Sequence, residues 1–188
     1  DYIGLSSSEL HGRNFDQETS RSAVGQPIGS FFVYEADGLF QSDAEIQNYK
    51  NDRGELLQPN AKPGDIRFKD LNGDGVINSD DRDFKGNPLP DCSMGLTLGF
   101  NYKNFDVSAF FQGVFGNEVY NLTNYLGEFY NQAQYNKNST ILDAWRPDNT
   151  DTDIPRVTLD DPNNNIRPST YYIHNASFVR LKNLKVGY

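Results

Sequence analysis

Residues 94–102 alternate without a break: Met94, Leu96, Leu98, Phe100 and Tyr102 are interleaved with Gly95, Thr97, Gly99 and Asn101. A period of two is the mark of a strand with one apolar face. Lys103 and Asn104 can serve as a two-residue hairpin turn into a second run, 105–115. That turn pairs Tyr102 with Phe105, Phe100 with Val107, Leu98 with Ala109 and Leu96 with Phe111, all on one face. Asn101 then meets Asp106, Gly99 meets Ser108 and Gly95 meets Gln112 on the other. A slip of one residue would send every side chain to the wrong face, so this agreement predicts the hairpin. Phe110 and Val114 are its exceptions. Near the end of the chain Leu184, Val186 and Tyr188 alternate with Asn183, Lys185 and Gly187, although the phase is lost before Lys182.

Elsewhere the pattern is weaker. Residues 1–26 are polar and weakly patterned, Ser30–Tyr34 is a short aromatic strand, and 38–40 read as more β. The best helix candidate is 42–50, with Ser42 as N-cap and Glu45 at the capping-box position. Gly, Pro and Asn make 51–65 a loop. The stretch after Phe115 is irregular, rich in Asn, Asp, Tyr and Pro, and too long for mere linkage. A short helix is expected near 140–145.

A single greasy face suits two environments. A soluble sandwich buries it against a second sheet, whereas a membrane barrel turns it toward lipid and keeps polar and small residues in the lumen. Runs of nine and eleven residues match the roughly 9–11 of a spanning strand, while soluble strands average about five or six. Tyr102 and Phe105 would then belong to an interfacial girdle. The fold class read here is all-β, a partial transmembrane barrel of antiparallel strands with long external loops. Its segments are 63–91, 93–116, 117–171 and 176–188. The alternative is a soluble, secreted, calcium-stabilised β-sandwich that binds carbohydrate.

Composition supports the β class: helix formers are scarce, and Gly, Asn, Asp, Thr and aromatics are abundant. A net charge of −9 excludes a nucleic-acid partner, which needs clustered cations. One cysteine, Cys92, excludes a disulfide framework and is expected to be a buried, inert thiol. No apolar run is long enough for a membrane helix, which says nothing against a barrel. The start "DYIGLSSSEL" lacks a signal peptide, and the last strand stops midway; both fit an internal or mature piece of a larger fold.

Residues 70–81, DLNGDGVINSDD, carry chemistry of their own. Asp70, Asn72, Asp74, the Val76 carbonyl, Asn78 and Asp81 fall at positions one, three, five, seven, nine and twelve of a calcium loop, with Gly75 at the turn. Asp replaces the usual closing Glu, so weaker binding is expected. Ile77 would pin the loop to its surroundings, and Asp80 could substitute as a ligand. A structural Ca2+ bracing an external loop is the expectation.

Other candidates are weaker. His11 and His174 stand alone and are surface or packing residues. Asp148, Asp151, Asp153, Asp160 and Asp161 have no spacing that fixes a catalytic pair, and read as solvated loop charges. No nucleophile motif is visible, so the chain is expected not to be an enzyme. Tyr120, Tyr125, Tyr130 and Tyr135 recur every five residues and could form a platform for sugar or peptide, or a loop packed on itself. Trp145 is expected to anchor the loop, with ligand contact as the alternative. Asn121, Asn138 and Asn175 match the glycosylation sequon by chance.

Five ordered blocks, "GQPIGSFFVYEADGLFQSDAEI", "PGDIRFKDLNGDGVINSDDRDFKGNPLP", "YKNFDVSAFFQGVFGNEVYN", "LDAWRPDNTDTDIPR" and "SFVRLKNLKVGY", resemble SusC/RagA-type TonB-dependent outer-membrane transporters. The resemblance covers most of the chain from about Gly25 onward. It implies a C-terminal part of a barrel in a Gram-negative outer membrane, importing glycan or peptide fragments. It also implies a SusD-like surface lipoprotein as partner, TonB acting through a missing N-terminal region, a plug domain that is absent from this stretch, and lipid around the wall. Short barrel turns are periplasmic, which puts the Lys103 tip inside and both long segments outside the cell.

Overall fold

The computed structural model describes residues 2–6, 18–129 and 136–188, the first five by their backbone alone. Strands dominate the described residues, helices are few and short, and none of those helices is long and apolar enough to cross a membrane.

The hairpin forms in the predicted register. Strands β7 (Cys92–Tyr102) and β8 (Phe105–Phe115) pair from Tyr102 with Phe105 up to Cys92 with Phe115, without a slip. β7 starts two residues earlier than the alternation of 94–102 indicated. Lys103 takes up the left-handed backbone of the tight turn, at φ 53°. β11 (Phe178–Gly187) pairs with the other edge of β8, placing Val186 beside Val107, Leu184 beside Ala109 and Leu181 beside Phe111. The ladder shifts between Leu181 and Asn183. Lys182 is the extra residue of this bulge, which explains why the alternation loses phase there.

All three columns continue beyond the hairpin after short breaks. β9 (Glu118–Tyr120) prolongs β8 past the bend at Gly116, and β10 (Ile173–Asn175) pairs with β9 and leads into β11. β6 (Arg82–Phe84) leads into β7, with the Glu118 N–H donating to the Asn87 carbonyl at 3.0 Å. Beyond β6 the order is β3 (Ser30–Tyr34), β2 (Glu18–Ala23) and β1 (Tyr2–Ser6). The weakly patterned start therefore contains two strands.

The upper part has a core of its own. β4 (Ala36–Leu39), slightly earlier than the expected 38–40, pairs with β5 (Ile66–Phe68). Around them Tyr34, Leu39, Ile66, Phe68, Tyr125, Phe129, Trp145 and Tyr172 form one buried cluster. Tyr172 is wholly buried and touches the rings of Tyr120, Tyr125, Phe129 and Tyr171 at centroid distances of 5.2–6.1 Å. Such ring pairs add about 0.5–1.5 kcal/mol each beyond their buried area.

Helix α1 (Asp43–Asn48) starts at Ser42, whose hydroxyl accepts the Glu45 N–H. Glu45 reaches the Gln41 N–H rather than that of Ser42, so the reciprocal half of the capping box is not made. α2 (Leu122–Glu128), which the sequence reading did not include, is capped by Asn121. A 3-10 turn at Ser139–Asp143 stands where the short helix near 140–145 was expected.

Two long connections are locked together by polar contacts. The Gln58 amide accepts the Phe68 N–H and donates to the Ile66 carbonyl, while Asn165 accepts the Ile66 N–H. These side chains finish an edge of β5 that would otherwise be buried and unpaired. The Arg156 guanidinium meets the fully buried Asp65 carboxylate at 2.6 Å. Trp145 donates to Gln41, and its ring lies so close to Gly64 that a Cβ there would sit 2.5 Å away.

Candidate functional site

The sheet β7–β8–β11 gathers its apolar residues on one face. Across the three strands Leu96, Phe111 and Leu181 form one row, then Leu98, Ala109 and Leu184, then Phe100, Val107 and Val186. Leu98 is 54% exposed and Phe100 65%. A soluble sandwich would bury this face against a second sheet; among the described residues none covers it, and the other face of β7 is open as well. At the hairpin tip the row ends in aromatics: Phe105 lies 5.0 Å from Tyr188, and Phe100 stacks on Tyr102. Cys92, expected to be buried, is exposed at the opposite end, beside Phe115 in the pairing. Its place at the head of an apolar row, rather than in a core, is the reason.

The other face carries Thr97, Gly99, Asn101, Asp106, Ser108, Gln112, Arg180, Asn183 and Lys185. Arg180 donates to Gln112 at 3.2 Å across the strands. Phe110, an exception to the polar pattern, lays its ring against Gly95, where a Cβ would lie 3.0 Å from it.

The acidic loop is tightly wound. Asp81 is fully buried and accepts the N–H groups of Leu71 and Asn78 at 2.9 and 2.7 Å. Asp70 accepts those of Gly73 and Gly75, and Asp74 accepts that of Val76. This last bond is the main reason the Asp74 carboxyl is held below the usual carboxylate range. The Asn72 and Asn78 amides also donate to Asp74, and Asn78 reaches the Val76 carbonyl. Ile77 packs against the aromatic core, as its position in the motif predicts. Among the described residues, no three acidic, histidine or cysteine side chains gather closely enough to hold a metal ion. A cation here would depend on Asn72, Asn78 and the Val76 carbonyl as well, and would displace the two amides from Asp74.

The remaining candidates fall into place. Tyr125 and Trp145 are buried members of the core, and Tyr120 packs against it. Desolvation raises the hydroxyl pKa of Tyr120 and Tyr125 well above the ordinary value. His11, Tyr130 and Tyr135 lie outside the described residues. His174 is exposed on β10, near the Asn124 amide. Asp148, Asp151, Asp153 and Asp160 are exposed, but Asp161 is buried and accepts the N–H groups of Asn165 and Ile166. Its carboxylate closes a turn, and burial raises its pKa. The three sequon asparagines share a local role: Asn121, Asn138 and Asn175 each accept the N–H of the Thr or Ser two residues on.

No family model matches the chain. It is 37% identical over 177 residues to TonB-dependent receptor P3 of Formosa agariphila, covering 94% of the chain and 16% of that receptor. Receptor P26 of the same organism is 35% identical over 188 residues, the whole chain and 18% of the relative. TonB-dependent receptor SusC of Bacteroides thetaiotaomicron is 30% identical over 165 residues, 88% of the chain and 14% of SusC. The chain thus spans about a sixth of the length of these relatives, which are receptors and not enzymes. The RagAB peptide importer in its closed-closed state has the same fold over 98% of the chain and 18% of its own, at 23% identity and a TM-score of 0.62. A further structure of the RagAB peptide transporter gives 26% identity and 0.59, over the same shares. With an outward apolar sheet under a strand-built head, and with such relatives along its whole length, the chain belongs to the TonB-dependent receptors that include SusC.

Proposed function

We propose that this chain is part of the wall of a TonB-dependent importer in a Gram-negative outer membrane. One observation carries the reading: the register of β7, β8 and β11 gathers their apolar rows on one face, with small and polar residues on the other, and the apolar residues of β7 and β11 are left exposed. The ten rises between eleven residues, at about 3.4 Å each and tilted by about 40°, cross roughly 26 Å, close to the apolar band of about 25 Å in such barrels. Lipid then meets Leu96, Leu98, Phe100 and Val107, while Asn101, Asp106, Ser108 and Gln112 face the lumen. The outer edges of β7 and β11 need further strands, because unpaired backbone groups are costly in lipid. Those strands, and the plug, come from other parts of the protein.

The two-residue tip at Lys103 lies on the periplasmic side, and the core-bearing head lies outside the cell. Transport is binding and gating, with no bond chemistry. The likeness to the RagAB peptide importer supports a peptide fragment as cargo, a glycan fragment being the alternative that the sequence resemblance implies. The SusC and RagAB relatives support a SusD-like lipoprotein as partner, with TonB acting through the rest of the receptor. Calcium, held by Asp70, Asn72, Asp74, Val76, Asn78 and Asp81, braces the head at its acidic loop; the spacing and the pinned Ile77 support this.

Placing charge on each face in turn tests the wall assignment in the full-length receptor. Leu98→Arg should impair assembly in the outer membrane by about 2–4 kcal/mol, and Thr97→Arg much less. Equal folding yields for the two variants would overturn the reading.

A further inference from the structure

The turn between β2 and β3, residues 24–29, belongs to no core. Val24 is 94% exposed and Ile28 77%, the two highest values for large aliphatic side chains among the described residues. From Ala23 to Gly29 the sequence AVGQPIG carries no charge. Hydrogen bonds from Gln26 to Ala23 and from Ser30 to Pro27, with Gly25 and Gly29 at positive φ, give the turn a defined shape. Isolated exposed apolar residues need no explanation, but two on one ordered, uncharged tip do.

Strand directions fix where the tip points. β6 runs into β7, and β7 descends from the head toward the Lys103 turn. β3 is antiparallel to β6, so it climbs away from the membrane-facing sheet and its first residues are its lowest. The Phe31 N–H donates to the Gly86 carbonyl, and Lys85 donates to the Phe31 carbonyl, which sets the start of β3 level with the approach to β7. A Cβ on Gly29 would lie 3.7 Å from Pro88. Next to Pro88 come Leu89, 49% exposed, and then Cys92 at the head of the apolar row. The 24–29 tip therefore lies level with the upper rim of the lipid-facing band.

We propose that this turn is a membrane-interface anchor, with Val24 and Ile28 seated at the headgroup and acyl boundary of the outer leaflet. The occupant is lipid because the tip is uncharged, adjoins a surface assigned to lipid, and lies at the membrane-side end of its strand pair. The shape suits an interfacial contact: a short turn with two aliphatic side chains reaches the boundary but cannot span it. The inference rests on the barrel reading and adds a function for a segment that the wall itself does not use.

The test uses the full-length receptor in lipid nanodiscs, with native cysteines replaced and one nitroxide label at Ile28→Cys, Leu98→Cys or Leu71→Cys. Collision with oxygen, which partitions into lipid, is compared with collision with a water-soluble nickel chelate. At Leu98 the oxygen-to-nickel ratio should be highest, at Leu71 lowest, and at Ile28 several-fold above Leu71. A ratio at Ile28 equal to that at Leu71 overturns the anchor, as does a label shielded from both reagents, which would mean that protein covers the tip. If Leu98 itself lacks lipid contact, the barrel reading fails instead, so the two failures are told apart.

Discussion

The same residue types are handled in opposite ways in the two halves of this molecule. In the head, Tyr34, Phe68, Tyr125 and Tyr172 are pressed inward on one another, and they come from segments more than a hundred residues apart. In the sheet below, Leu98, Phe100, Leu184 and Val186 stand exposed on the two strands that flank β8. Hydrophobicity alone does not separate the two. What separates them is the opposite face: the sheet backs its apolar rows with Asn, Asp, Ser and Gly, and so has no interior to offer. Water is the solvent that the head folds against, and on the proposed wall reading the sheet meets a solvent that is itself apolar.

Truncation should expose the difference most sharply. Tyr172→Ala removes a ring at the centre of the core and should destabilise the head by about 3–5 kcal/mol, because the site cannot collapse around the gap. Leu98→Ala leaves a space that lipid can fill, at a cost of about 0.5 kcal/mol, the worth of a leucine side chain in a bilayer. Hydrogen exchange of the head and of the strands in the full-length receptor reads both. Comparable losses would dissolve the distinction between the two regions.

The sheet was legible in the sequence because a period of two and a two-residue turn leave one register that sorts the side chains. The bulge at Lys182 hid part of β11, since a single inserted residue inverts the phase. The head was mostly illegible. Its core joins Tyr34, Phe68, Trp145 and Tyr172 through irregular chain, where no local period exists. The same holds for Gln58 and Asn165 on the edge of β5 and for the burial of Asp161, all set by distant partners. α2 did leave a trace, in Asn121 before Leu122, Tyr125 and Leu126 at helical spacing. Of the candidate site, the order of the acidic loop and the anchoring role of Ile77 could be read directly, because the motif is local.

That loop gives a smaller test. If calcium braces the head, it should protect 70–81 from limited proteolysis in the wild-type receptor. A chelator or Asp74→Ala should remove the protection, slowing cleavage of the variant no more with calcium than without. The sheet, which holds no part of the loop, should be indifferent. Equal cleavage of wild type and variant in both conditions would leave the hydrogen bonds of Asp70, Asp74 and Asp81 as the whole reason for the loop's shape.

The smallest effect concerns charge on the head's surface, which the sheet's apolar face lacks entirely. Glu35 accepts from Lys69 at 2.5 Å and faces Lys85 at 2.7 Å, and these two partners hold its carboxyl below the usual range. A depressed folded value means that the stabilisation is complete above the unfolded carboxylate pKa of about 4.3 and is lost as pH falls through the lower folded value. The pair is partly exposed and screened, so Glu35→Gln should cost only about 0–1 kcal/mol near neutral pH. Below the folded value the variant and the wild type should converge, because the wild-type carboxyl is then neutral as well. Denaturation of the head followed from pH 7 to pH 3 measures the gap between them; a gap that widens on acidification would mean that Glu35 is not held by its lysines.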